Sequence, residues 1–320
     1  MKQYRWMYLA VAAVVLYVLV PLLLGGNLYL MSLVVASLTI GGIALAWALL
    51  GNLGGMVSFG QAAFFGVGSY VSALLTLKFG LPVLPAMLLG GVGASLASLA
   101  MLPALRLKGP YFALAILAYA QIFRILAMEF RGVTGGAGGL SGIPQLPTVF
   151  GFDLSAKVGG YLVILSIVVV FLWIYYLIRK SYYGLALKAM HESEDATRVV
   201  GVNSTLLKAM MLLVSAFMTG MVGAFNTHYI NFLEPDYAFG SSWTVIPIIA
   251  AIFGGYRTIF GPLAGAVAIY MIDQLIFKNL IPNGHQIILG VLLVLMIIFC
   301  PSGLVPVLVE KFKGKTHAEA

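Results

Sequence analysis

Charge is what this sequence has least of. Only 9% of its residues are Asp, Glu, Lys or Arg, against about 25% in an ordinary soluble domain. A chain this poor in charge cannot cover a water-facing surface, so its solvent is largely lipid. Cysteine is nearly missing as well. Cys300 stands alone, which excludes an intrachain disulfide and a cysteine-based zinc site. His191, His228, His285 and His317 are scattered along the chain, so no metal site is expected. There is no H-E-x-x-H, no Ser/His/Asp order and no pair of intramembrane aspartates, and the chain is not read as an enzyme. Gly314-Lys315-Thr316 looks like the end of a phosphate-binding loop, but the position five residues before Gly314 is Val309, not glycine. No ATP site is present and no cofactor is expected on this chain.

What is abundant is apolar surface: 62% of residues are hydrophobic and mean hydropathy is +1.04. The apolar runs are continuous and close to the ~20 residues that carry a helix across a hydrocarbon core. A membrane β-barrel would show alternating segments of about 10 residues instead. The expected fold is an all-α polytopic membrane protein with ten transmembrane helices, some discontinuous, over 7–24, 29–50, 55–77, 82–105, 111–129, 158–178, 207–230, 242–255, 259–277 and 286–307. The third is interrupted by Gly60, Gly66 and Gly68, and the eighth is short. The first resembles a signal peptide but lacks a small-residue cleavage site after Leu24, so it is read as a retained helix.

Basic residues set the orientation. With the N-terminus inside, Lys2, Arg5, Arg106, Lys108, Arg179, Lys180, Lys188, Arg198, Lys208, Arg257, Lys311, Lys313 and Lys315 fall on the inner side. Lys78, Arg131, Lys157 and Lys278 fall outside, and Arg124 lies within a span. Both termini are therefore expected in the cytoplasm, and the net charge of +8 is explained without nucleic acid. The long connections are an outer one at 130–157 and an inner one at 179–206. The whole chain, 1–320, reads as one membrane domain, with related halves suggested near 29–130 and 207–305.

The inner connection predicts an amphipathic helix over 185–200. Leu187, Met190, Ala196, Val199 and Val200 line one face, Glu192, Glu194 and Asp195 the other, and Gly201 closes it in a left-handed cap. A helix lying on lipid would carry Lys and Arg on its polar face. This one is acidic, which suits docking into a groove of a cytoplasmic protein better. A solvated connector is the bland alternative.

Gly184 to Asn203, with its run E-S-E-D-A-T-R-V-V-G-V-N, resembles the coupling loop of ABC importer permeases, and its spelling is similar to the branched-chain amino-acid permease family of the LivM type. Further stretches resemble that family in its order: Ser58–Tyr70, Lys108–Ala113, Thr134–Pro144, Gly254-Gly255 with Gly261–Ala266, and Pro301–Leu304. The resemblance implies import of leucine, isoleucine and valine across a bacterial or archaeal cytoplasmic membrane. It also implies two cytoplasmic ABC ATPases that bind ATP and Mg, a second related permease and an extracytoplasmic binding protein. Gly184 and Gly201, with Glu192, Glu194, Asp195 and Ala196, would then couple to the ATPase. Gly135, Gly136 and Gly139, with Glu234 and Asp236, would lie where the binding protein docks. Three positions depart from the family: Leu185 where Arg is frequent, Gln121 where Glu is, and Gln61 where His is. Urea, amides and other amino acids therefore stay open as substrates.

Polar groups inside spans point to function by default. Arg124 and Asp273 fall at similar depth in two outward-running spans. They either pair, snorkel separately to the outer interface, or touch substrate. Ser58 and Gln61 in the glycine-broken third segment, and Gln121 in the fifth, complete the pathway candidates. Glycine here has an equally ordinary reading as close helix packing. A secondary transporter would rest on Asp273 alone, the one acid clearly within a span.

Overall fold

The computed structural model describes residues 14–149, 151–280, 284–299 and 302–307. Helix dominates, and among the described residues eight helices are long and apolar enough to cross a membrane. They confirm the all-α polytopic class. The first and tenth expected spans fall partly outside the described residues. Their described parts are α1 (Val15–Leu24) and the C-terminal apolar helix around Ile287–Met296.

α2 (Leu28–Leu53) is the buried axis of the molecule. Asn27 opens it, its side chain accepting the Tyr29 and Leu30 N–H groups at 3.1 Å each, which meets two of the donors a helix start leaves unpaired. Its last turn, Leu49–Leu53, widens to π geometry and empties into a non-helical stretch at 54–60. α3 (Gln61–Phe79) then runs without a break. The expected interruption at Gly66 and Gly68 does not occur: the discontinuity lies ahead of Gln61, and those glycines sit inside a continuous helix. α4 (Val83–Arg106) returns inward and tightens into a 3₁₀ end from Leu99, where Pro103 removes a donor. α5 (Pro110–Glu129) follows.

After the connection at 130–156, α6 (Lys157–Lys180) leads to two short helices, α7 (Tyr182–Glu192) and α8 (Glu194–Val199). α9 (Ser204–Ile230) is the longest helix described. A short turn at Pro235–Ala238 leads into α10 (Ser242–Gly254), so the expected short span 242–255 belongs to an apolar run that begins at Pro235. α11 (Gly261–Leu280) carries a π turn at Asp273–Phe277, and α12 (His285–Phe299) follows.

α9 packs most extensively against α3 and α4. Glycine permits this approach. A Cβ on Gly68 would run into the Gly220 backbone, one on Gly220 into Ala94, and one on Gly223 into the Phe65 carbonyl. In lipid there is no hydrophobic drive between helices, so close backbone contact and interhelical hydrogen bonds hold them together. A second group forms where α2 packs against α10 and α11. There Gly254 and Gly265 leave no space for side chains.

Candidate functional site

Three regions gather the sequence candidates. The first is the turn at 54–60. Ser58 and Gln61 are buried. Gln61 is fully engaged: its Oε1 accepts from Thr219 Oγ1 at 2.7 Å and its Nε2 donates to Ser215 Oγ at 3.3 Å. Ser215 in turn donates to the Ala46 carbonyl at 2.9 Å. The Ser58 carbonyl accepts from Trp47 Nε1 at 2.9 Å. Both residues thus tie α2, α3 and α9 together in this state. A matching turn lies between α10 and α11. Gly55 and Gly255 both take positive φ, at 64° and 101°. Ser58 Oγ accepts the Gly60 N–H at 3.2 Å, and Thr258 Oγ1 accepts the Gly261 N–H at 2.9 Å. Asn52, in the last turn of α2 ahead of the first of these turns, donates its Nδ2 to the Arg257 carbonyl of the second at 3.1 Å.

The second region is the connection at 181–203, expected on the cytoplasmic side. The single helix expected over 185–200 is two helices, because Ser193 adopts an extended backbone (φ −156°, ψ 106°) and caps α8, its hydroxyl accepting the Ala196 N–H at 3.3 Å. Serine competes for its own backbone in this way and outweighs the surrounding helix formers. The expected apolar face is split with it. Leu187 and Met190 are buried beneath the membrane core, while Ala196, Val199 and Val200 face out and Thr197 is buried instead. Gly201 does take the left-handed cap, at φ 86°. Gly184 sits at the α6–α7 corner, where a Cβ would strike the Ile178 and Arg179 carbonyls.

Glu192 and Asp195 are exposed and make no ion pair among the described residues. Glu194 is different. Its two oxygens are taken by Arg198 Nη2 at 2.7 Å and Lys208 Nζ at 2.8 Å. Arg198 Nε also donates to Ser204 Oγ at 2.7 Å. Burial pushes the Glu194 carboxyl up, but hydrogen bonds from Lys208 and Ser204 and the charges of Lys208 and Arg198 outweigh it and hold the group below its ordinary range. The loop borders a cleft of about 710 Å³, whose walls include Gly55, Met56, Lys108, Phe112, His191 and Glu194. His191 lies directly over Gly55, so α7 rests on the first glycine turn.

The third region is the outer end of α5. Arg124 does not pair with Asp273. Its Nε donates to Asp236 Oδ1 at 2.8 Å, and Nη2 reaches the same oxygen. Arg124 stands in the fourth turn of α5, and its long stem carries the guanidinium to the outer turn at Pro235–Ala238. Asp236, expected to be free for docking, is thus engaged from within, whereas Glu234 makes no ion pair among the described residues. Gln121 is exposed on the same helix, and its Oε1 lies 3.5 Å from Arg124 Nη1. Asp273 is buried in the π turn of α11. Gln274 donates to its Oδ2 at 3.1 Å, and its Oδ1 has no partner among the described residues. The outer glycine loop folds back on the α9–α10 connection through the pair Leu140–Ser141 with Phe232–Leu233. Gly135, Gly136 and Gly139 there take φ of 78°, 61° and 70°, a conformation that favours glycine.

His228 was not singled out by sequence and proves central to this outer side. It is buried, with Nε2 2.8 Å from Ser72 Oγ and Nδ1 2.8 Å from the Pro144 carbonyl. A histidine near the end of an apolar helix, ahead of a long loop, was the only signal available. Among the described residues no group of His, Cys, Asp or Glu could hold a metal ion.

Residues 28–297 match the family model described as branched-chain amino acid transport system / permease component. The chain is 31% identical over 290 residues to the high-affinity branched-chain amino acid transport system permease protein LivM of Salmonella typhimurium, covering 83% of this chain and 67% of that one. It is 30% identical over 292 residues to the LivM protein of Escherichia coli, covering 83% and 68%. The probable LivM of Methanocaldococcus jannaschii is 22% identical over 291 residues, covering 86% and 84%. No solved structure matches. A multi-pass chain that matches this permease model over most of its length belongs to the branched-chain amino acid transport permease family.

Proposed function

We propose that the chain is one of two membrane-spanning subunits of an ATP-driven importer for branched-chain amino acids in the cytoplasmic membrane of a bacterium or archaeon. The observation that carries this reading is the cytoplasmic loop. Leu187 and Met190 anchor it to the core, while Tyr182, Leu185, Val199 and Val200 stay exposed beside the acids Glu192 and Asp195. An apolar surface with acidic flanks in water suits a protein groove. Two cytoplasmic ATPases, binding ATP and Mg, are the partners this surface fits. Their closure would push on α7 and α8 and through His191 on the glycine turn at 54–60.

A second support is α5. Within its apolar window only 28% is buried, and its exposed side carries Gln121 and the Arg124–Asp236 pair. Such groups at membrane depth face protein or a water-lined path, not lipid. A second, related permease facing α5 would enclose the path. A binding protein would deliver substrate at the outer loops near Gly135, Gly139 and Glu234.

The test is isolation of the tagged chain from its native membrane in mild detergent. Two P-loop ATPases and a second hydrophobic permease in the complex support the reading. A chain that purifies alone and moves leucine under an ion gradient overturns it. In that case buried, half-paired Asp273 becomes the coupling residue to examine.

A further inference from the structure

The Arg124–Asp236 pair is incomplete in a particular way. Both arginine contacts go to one carboxylate oxygen, Asp236 Oδ1. An Arg–carboxylate pair that is content with itself uses two parallel bonds to two oxygens. Here Asp236 Oδ2 makes no hydrogen bond among the described residues, and Arg124 Nη1 has only the 3.5 Å approach to Gln121 Oε1. One acceptor and one donor edge of the pair are therefore unused. The pair is also half open, its side chains 38% and 62% exposed. Around α5, the exposed apolar side chains of Leu117 and Ile125 lie about 20° and about 100° from Arg124.

We propose that this pair is a transit site for a zwitterionic amino acid. The α-carboxylate takes the free edge of the Arg124 guanidinium, the α-ammonium takes Asp236 Oδ2, and the aliphatic side chain lies on the apolar part of α5. A zwitterion carries both charges a short distance apart, so it matches a spaced cation and anion and leaves neither unpaired. Urea and amides lack the charges and gain nothing from the site beyond ordinary hydrogen bonds. This rests on the importer reading and narrows it, because the class of substrate follows from the pair.

The test places a reporter thiol beside the site. The complex carries Ile125→Cys together with Cys300→Ala, which removes the chain's one native cysteine. In proteoliposomes, labelling of this chain by a charged thiol reagent is followed by intact mass, and ATP-driven leucine uptake is measured on the same vesicles. Leucine at a few times its dissociation constant should slow labelling about fivefold by simple occupancy. Leucinamide, which lacks the carboxylate, 4-methylvalerate, which lacks the ammonium, and urea should leave the rate unchanged. Adding Arg124→Gln should abolish protection by leucine, and Arg124→Lys should restore part of it. Vesicles that import leucine yet show no leucine protection overturn the site and leave the importer reading standing. Equal protection by leucinamide and 4-methylvalerate overturns it too. Vesicles with no ATP-driven uptake remove the importer reading itself, and this site with it.

Discussion

At the scale of single residues, the polar groups of the third span were legible and their purpose was not. Gln61 and Ser58 stand out in any reading of an apolar run. Their partners Ser215, Thr219 and Trp47 come from other helices, and for Gln61 from more than 150 positions away. No periodicity in one sequence reports that separation. Burying an amide without its partners costs about 1–3 kcal/mol. Gln61→Leu leaves the Thr219 hydroxyl without its acceptor, while Ser215 keeps its bond to the Ala46 carbonyl, so it should lower the melting temperature of the purified chain in detergent. The glycines divide in the same way. Gly68→Ala puts a methyl into the Gly220 backbone and should destabilise by about 1–3 kcal/mol. Gly290→Ala, which meets nothing within 4 Å, should be neutral in the same melt.

At the scale of elements, the 181–203 connection falls between the two spans expected to flank it, but its break at Ser193 was missed. Helix propensity summed over 185–200 favours one helix. A capping serine with its own hydroxyl bonds wins locally. The consequence is mechanical, because Glu194, freed from a continuous helix, clamps α8 to the start of α9 through Lys208. α9 is the helix most tightly meshed with α3 and α4. Glu194→Lys should raise ATP hydrolysis per leucine imported, with the complex still assembled. Adding Lys208→Glu should bring the ratio back, since the pair is re-formed with its charges exchanged. No recovery in the double variant would mean that Glu194 acts on a partner and not on α9. The clamp has a definite pH window. Its folded pKa is depressed, so its contribution is present above the ordinary glutamate range and is lost as pH falls through the depressed value. Coupling should therefore hold from neutral pH down to about 5, the upper edge of carboxylate titration. A loss between pH 7 and 6 would point to another group.

At the scale of the whole molecule, hydropathy located the eight long apolar helices found among the described residues. Physical chemistry is at its most restrictive in lipid, where only helices and closed barrels satisfy the backbone. Of the readings open for Arg124, pairing with Asp273 is not the one the structure has: the long stem carries the guanidinium to Asp236 in the Pro235–Ala238 turn. The turns at 54–60 and 255–260 are alike in their positive-φ glycine and serine or threonine cap, and Asn52 of α2 bonds the Arg257 carbonyl of the second. What one chain's sequence leaves open is the face of α5. That surface mixes exposed apolar side chains with Gln121 and the Arg124–Asp236 pair.

The most direct measurement is uptake of labelled leucine into proteoliposomes holding the complete complex, with the leucine-loaded binding protein supplied outside. ATP trapped inside should drive accumulation. Removal of ATP, or a Val199→Glu, Val200→Glu double change on the exposed loop, should abolish it without dispersing the permease pair. Accumulation that needs no ATP, follows an imposed proton or sodium gradient, and disappears with Asp273→Asn would contradict the account at its centre.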